Sequence, residues 1–248
     1  MTPVVIHIPH SSVFIPKEIR DELKLTDDEL QKNLVAFTDW RTDDLFASPK
    51  CFCRIVFPVS RLVCDPERFR CDEDEPMSKV GNGAVYVKDA FLRPLRELSN
   101  DRREQILTHY YDSHHQKLLN AVSKAVQRHG KCIIVDAHSF SSIPLPYEPD
   151  QSHDRPDICI GTCKGHTSKD LEEISVAFFQ SHGLSVSVNS PYSGAIVPLS
   201  FWSDSRVQSI MIEVSRGLYC KPNALEETSD YDSVKRVIGL FLDEISSL

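Results

Sequence analysis

No run of apolar residues approaches the roughly 20 needed to span a bilayer, so no membrane helix is expected. The opening residues, MTPVVIHIPHSSVFIP, lack the basic stretch and long apolar core of a secretory leader, and the expected compartment is the cytosol. Positive charge is in deficit: 28 Lys and Arg stand against 36 Asp and Glu, for a net charge of −8. A general nucleic-acid binder needs a basic face to displace counterions from phosphate, so that class is excluded, whereas a local basic pocket for an acidic small molecule is not. The eight cysteines contain no pair of CxxC knuckles, which excludes a zinc ribbon. They are expected to be reduced thiols acting as small apolar side chains. The metalloprotease pattern HExxH is missing too. No repeat, low-complexity tract or Gly/Ser linker divides the 248 residues, so a single domain over 1–248 is expected, large enough to bury a core without staples.

What is present reads as strands alternating with helices. Val4-Val5-Ile6-His7-Ile8 is mostly β-branched and stops at Pro9, so a strand is predicted there. A helical stretch over 18–45 follows, broken near Thr26-Asp27-Asp28, where Thr26 caps and Glu29 stands three residues on. A second strand is predicted over 54–59. From 101 to 129, Ile106, Tyr110, His114, Leu118, Ala121, Val122 and Ala125 recur at helical spacing, and Gly130 closes what reads as one long amphipathic helix. Cys132-Ile133-Ile134-Val135 is wholly apolar, as a buried central strand requires. Short strands at 158–160, 186–188 and 210–214 and helices at 171–181 and 233–247 complete the pattern. Such alternation implies an α/β three-layer sandwich around a central mixed, mostly parallel sheet. Chemistry in such sheets sits just past the carboxyl ends of the strands.

Polar residues that end apolar strands are therefore the candidates. His10 follows the first strand, Asp136 and His138 end the central run, and Glu213 interrupts Ile210-Met211-Ile212-Glu213-Val214. Two histidines and a carboxylate from separate elements are the usual open ligand set of a catalytic zinc, which keeps one position for water. The same histidines also serve elsewhere as plain hydrogen-bonded structural residues. An unpaired carboxylate inside an apolar strand is costly, which singles out Glu213. Thr38-Asp39-Trp40-Arg41-Thr42-Asp43-Asp44 offers three acids for the third ligand position. It reads either as a solvated helix with caps and charge pairs, or as a segment with one acid facing inward beside Trp40 onto the metal. Asp39 is favoured over Asp43 because Trp40 beside it needs a partly apolar environment. His109, His114 and His115 lack paired-ligand spacing and are not expected to bind metal as a unit, although His115 alone can reach a cleft. Arg61, Asp65 and Arg68 lie just past a strand and offer either carboxylate-binding forks or a surface ion-pair network. The run 189–195 reads as a tight turn, or as a turn that lines a pocket.

In order along the chain, PHSSVFIP, TDWRTDDLF, SRLVCDPER, VDAHSF, RPDICIGT, NSPYSGA and IEVSRGLY resemble the N-formylglutamate amidohydrolase family over about residues 4–219. The resemblance implies a fold similar to the zinc carboxypeptidases. It implies hydrolysis of an N-formyl or other N-acyl amino acid at zinc or another divalent metal. The alternatives are a carboxypeptidase-like or cell-wall amidase reaction at the same site, and a catalytically inactive ligand-binding relative. The resemblance assigns His10 and His138 as metal ligands and Asp39 as the acidic ligand. It makes Glu213 the general base and Arg61 and Arg68 the holders of a substrate carboxylate. His115 matches a histidine on the family's helix before DAHS and is expected in the catalytic set, with Asn189 and Tyr192 on the substrate. Two departures stand out. The family's Asp-Leu-Asn-Arg is here Asp65-Pro66-Glu67-Arg68, and Glu67 is expected to repel an acidic substrate. The family's paired glycine is here Gly194-Ala195.

Overall fold

The computed structural model describes residues 1–148 and 150–248. Its strands are β1 (Val4–Ile8), β2 (Cys53–Val56), β3 (Cys132–Phe140), β4 (Ile158–Thr162), β5 (Val186–Val188) and β6 (Val207–Ser215). The helices are α1 (Lys17–Arg20), α2 (Asp27–Phe37), α3 (Thr42–Leu45), α4 (Asn100–Ile106), α5 (Ser113–His129), α6 (Lys169–Ser181) and α7 (Tyr231–Ser246). The six strands form one sheet in the order β2-β1-β3-β6-β4-β5. All neighbours are parallel except β4, which runs antiparallel to β6. The fold is thus α/β with a mixed, mostly parallel sheet, as the alternation of elements implies.

Strand side chains alternate between faces, and the two faces bury different helices. Ile6, Val135 and Ile212 point to a core closed by Phe179 of α6 and Phe241 and Ile245 of α7. Val5, Ile134 and Val207 point to Leu118, Val122 and Ala125 of α5. Along the strand direction this second face turns polar. Val5 is followed two residues on by His7, Ile134 by Asp136 and then His138, and Val207 eventually by Glu213. The register sets His7 against Asp136 and His138 against Glu213, so period-two alternation alone gathers four ionisable side chains at one end of one face.

Several boundaries differ from the sequence reading. β3 runs to Phe140, because its pairing with β6 continues to Phe140↔Ser215, so Asp136 and His138 lie inside the strand. β2 ends at Val56 rather than 59, two residues before Pro58, which has no N–H to extend a ladder. The first helical region is three pieces. Thr26 and Glu29 form the capping box that starts α2, but a second break follows at Thr38, which is extended, and Arg41, whose φ of 64° is left-handed. The long helix is interrupted by a wider turn of π type at Leu107–Asp112. That turn shifts the helical phase, so Leu107, Tyr111 and His114 are buried where a regular helix buries Tyr110. All eight cysteines are free thiols, and no helix of the described residues is long and apolar enough to cross a membrane.

Candidate active site

Asp39 owes its position to the break after α2. Arg216 closes that helix: Nη1 donates to the carbonyls of Val35 and Thr38, both at 2.7 Å, and Nη2 to Ala36 at 3.0 Å. These are carbonyls that a helix C-terminus leaves without partners. Tyr219 Oη donates to the Trp40 carbonyl at 2.9 Å, and Thr42 Oγ1 to that of Asp39 at 2.9 Å. The clamped turn then bridges two strand ends. Asp39 N donates to the His10 carbonyl at 3.0 Å, and Ser139 N donates to Asp39 Oδ2 at 3.1 Å. Asp43 is exposed one turn further on.

Around Asp39 the two histidines present the same edge. His138 Nδ1 lies 3.2 Å and His10 Nδ1 3.6 Å from Asp39 Oδ2. The far nitrogen of each ring meets a fully buried carboxylate: His10 Nε2 is 2.8 Å from Asp65 Oδ1 and His138 Nε2 is 3.1 Å from Asp136 Oδ1. A carboxylate behind each imidazole favours a hydrogen on Nε2 and turns both Nδ1 atoms toward one place, where each could offer a lone pair to a metal. His10 Nδ1 has no hydrogen-bond partner. Ligand atoms of His10, Asp39 and His138 all lie within 4.8 Å of one another, and the three residues are 3, 5 and 5% exposed. Among the described residues a second group, His7, Glu67 and Asp136, meets the same distance test.

The electrostatics follow from this pairing. Burial alone raises the Asp39 carboxyl, but the hydrogen bond with His138 and the charge interactions with the adjacent His10 and His138 outweigh it and hold Asp39 below the usual carboxylate range. Burial likewise opposes the Asp65 charge, and Arg61 and His10 overcome it. His138 is disfavoured as a cation by burial but is raised well above its ordinary value by Asp136 and Asp39. Glu213 moves the other way. Burial, with the negative charge of Asp39 and Asp136, pushes it up to about 8 despite His138. Its Oε2 is buried without a partner, directly across the strand pair from His138.

The remaining candidates divide. Arg61 is committed to Asp65 Oδ2, through Nη2 at 2.7 Å, and to Tyr86 Oη at 3.0 Å. Arg68 is looser, with Nε 3.6 Å from Asp65 and without a hydrogen-bond partner. Tyr192 Oη is joined to Arg155 at 3.0 Å and Glu148 at 3.1 Å, and its ring packs on Phe140 at the end of β3. Asn189 is an exposed turn residue: its φ is 56° and its side chain pairs with Thr162, so the structure does not bring it to the histidines. His115 stacks on Tyr111 and its Nε2 meets the Pro66 carbonyl at 2.9 Å, so it braces the loop carrying Asp65 and Glu67 and does not face Asp39. Glu67 does not sit as a free anion beside Arg68. Its Oε1 lies 3.2 Å from His7 Nδ1, and burial with the nearby charge of Asp136 raises it well above the carboxylate range.

Three participants escaped the sequence reading. His7 is a polar residue in an apolar strand, and the same-face pairing with Asp136 that exposes it needs the strand register. His114, set aside with its neighbours, is buried with Nε2 2.8 Å from His7 Nε2. Arg216 lies in the IEVSRGLY run, but its bonds reach residues some 180 positions away and leave no local trace.

Two solved structures share this architecture. The N-formylglutamate amidohydrolase from Ralstonia eutropha JMP134 aligns with a TM-score of 0.82 at 21% identity, covering 99% of this chain and 93% of that one. A gene product from Agrobacterium tumefaciens aligns with a TM-score of 0.68 at 20% identity, covering 98% and 92%. At such identities the likeness shows the fold alone. No curated protein matches the chain. A family model described as N-formylglutamate amidohydrolase matches residues 2–220, from just before β1 to just past the clamp formed by Arg216 and Tyr219. The chain therefore belongs to the N-formylglutamate amidohydrolase family.

Proposed function

We propose that the protein hydrolyses the amide bond of an N-formyl or related N-acyl amino acid, with a divalent metal, zinc by its donor set, held by His10, Asp39 and His138. The observation that carries the reading is the pair of Nδ1 atoms converging on Asp39 Oδ2, each with a buried carboxylate on its other nitrogen, and one of them without any partner. Two imidazoles and one carboxylate suit zinc and leave room for substrate and water. When bound, the metal supplies Lewis acidity and makes water nucleophilic near neutral pH.

The chain's own groups supply the rest. Glu213, with a buried oxygen free of partners, accepts a proton from the attacking water and returns it to the departing amine nitrogen. Without a metal, burial pushes Glu213 up to about 8, and a divalent cation beside it would favour the ionised form that takes the proton. Arg68, held only by the longer ion pairs to Asp65 at 3.6 Å and Glu75 at 3.8 Å, is the group that holds the substrate carboxylate, while Arg61 holds Asp65 behind His10. Glu67 is turned toward His7 and Asp136, which leaves Arg68 to meet an acidic group. The test is formate or acetate release from a panel of N-formyl and N-acetyl amino acids, with acidic and neutral side chains, in the presence of zinc. Release from N-formyl amino acids, acidic ones included, supports the reading. Release from none of them rejects it.

A further inference from the structure

His7 is fully buried near the carboxyl end of β1, on the face that packs on α5. Its Nδ1 faces two carboxylates at once, Asp136 Oδ1 at 2.9 Å and Glu67 Oε1 at 3.2 Å. One ring nitrogen carries at most one hydrogen and cannot serve both acceptors well. Glu67 Oε1 is buried and takes part in no well-formed hydrogen bond. Three donor atoms, one from β1, one from β3 and one from the loop after β2, thus converge within 4.8 Å of one another.

We propose that His7, Glu67 and Asp136 form a second divalent-cation site behind the first. One imidazole nitrogen with two carboxylate oxygens suits a first-row transition cation such as zinc or manganese, and has too few oxygens for calcium. A cation there offsets the repulsion between two carboxylates that share a dry interior. The outer nitrogen of His7 is already fixed, since Nε2 lies 2.8 Å from His114 Nε2, and this orients the ring as a metal-bound histidine requires. The two sites are linked. Asp136 Oδ1 also backs His138 Nε2 at 3.1 Å, so a cation on Asp136 draws charge from it and weakens the push that His138 receives toward the first site. The inference needs only the side-chain geometry, and it stands whether or not the proposed hydrolysis does.

The experiment is metal counting on the full chain. Stripped protein is exposed to excess zinc, passed through a desalting column and analysed for bound metal. The wild type is expected to hold about two equivalents per chain, and Glu67→Gln, His7→Phe and His10→Ala about one each. Gln keeps the shape of Glu67, so that variant carries the test if His7→Phe does not fold. About one equivalent in the wild type, kept in Glu67→Gln and lost in His10→Ala, overturns the second site and leaves the first. Two equivalents in Glu67→Gln also overturn it. No bound zinc in the wild type overturns both sites.

Discussion

Replacing Glu213 by Gln separates the roles open to this residue. The amide keeps the shape of the carboxyl but cannot accept a proton. Glu213 is 7% exposed, sits across from His138 in the β3–β6 register, and has one oxygen with no partner. A base in that position contributes ~10²–10⁴-fold to turnover. At roughly 1.4 kcal/mol per decade, that is about 3–5 kcal/mol of barrier. The stability effect has the opposite sign. Glu213 is disfavoured as an anion by burial and by Asp39 and Asp136, so a neutral Gln relieves the repulsion, and the melting temperature of the metal-free protein at pH 8 should not fall. Steady-state formate release, elemental analysis and thermal melting on one preparation read all three quantities. Turnover near wild type with full metal occupancy refutes the assignment of Glu213 as base. Lost metal, with activity partly restored by added zinc, makes it a ligand instead.

Three further outcomes follow from the geometry. Asp65→Asn removes the carboxylate behind His10, and zinc affinity is expected to fall by ~10–100-fold with the fold retained, as read by competition with a chelator; unchanged affinity contradicts the proposed tautomer. In metal-free protein, His138 is raised above its ordinary value, so its stabilisation is complete below pH ~6.5 and lost as pH rises through its folded value, and Glu213, held neutral up to about 8, acts in the same direction. Buried His7, His114 and His115 are held below their ordinary value and act oppositely only around pH ~6.5, so from pH 7.5 to pH 9 the melting temperature of the metal-free form should fall while excess zinc cancels the trend, and a melting temperature rising over that window contradicts this. Thiol titration of freshly purified, denatured, unreduced protein should find all eight cysteines reactive, and fewer contradicts the free-thiol state.

How much of this was legible in the sequence depends on range. The strands of the sheet announced themselves because a buried parallel strand must be apolar, as Cys132-Ile133-Ile134-Val135 is. His10, His138 and Glu213 stood out as polar interruptions of such runs, and Trp40 pointed to Asp39. The break that turns Asp39 inward was not visible, because it is held by Arg216 and Tyr219 from the far end of the chain. The π-type turn that delivers His114 to His7 hid inside a spacing that looked regular. The surroundings of Glu67 were hidden for a similar reason. Next to Arg68 in sequence it reads as a repelling charge, but in space it faces His7 and Asp136.

The most direct test of the central claim is formate release measured as a function of zinc equivalents added to metal-stripped protein, with His138→Ala alongside. The account predicts no turnover without metal, recovery as the His10–Asp39–His138 site fills, and no turnover from folded His138→Ala at any zinc concentration. Full turnover by the stripped protein, or by His138→Ala, contradicts it.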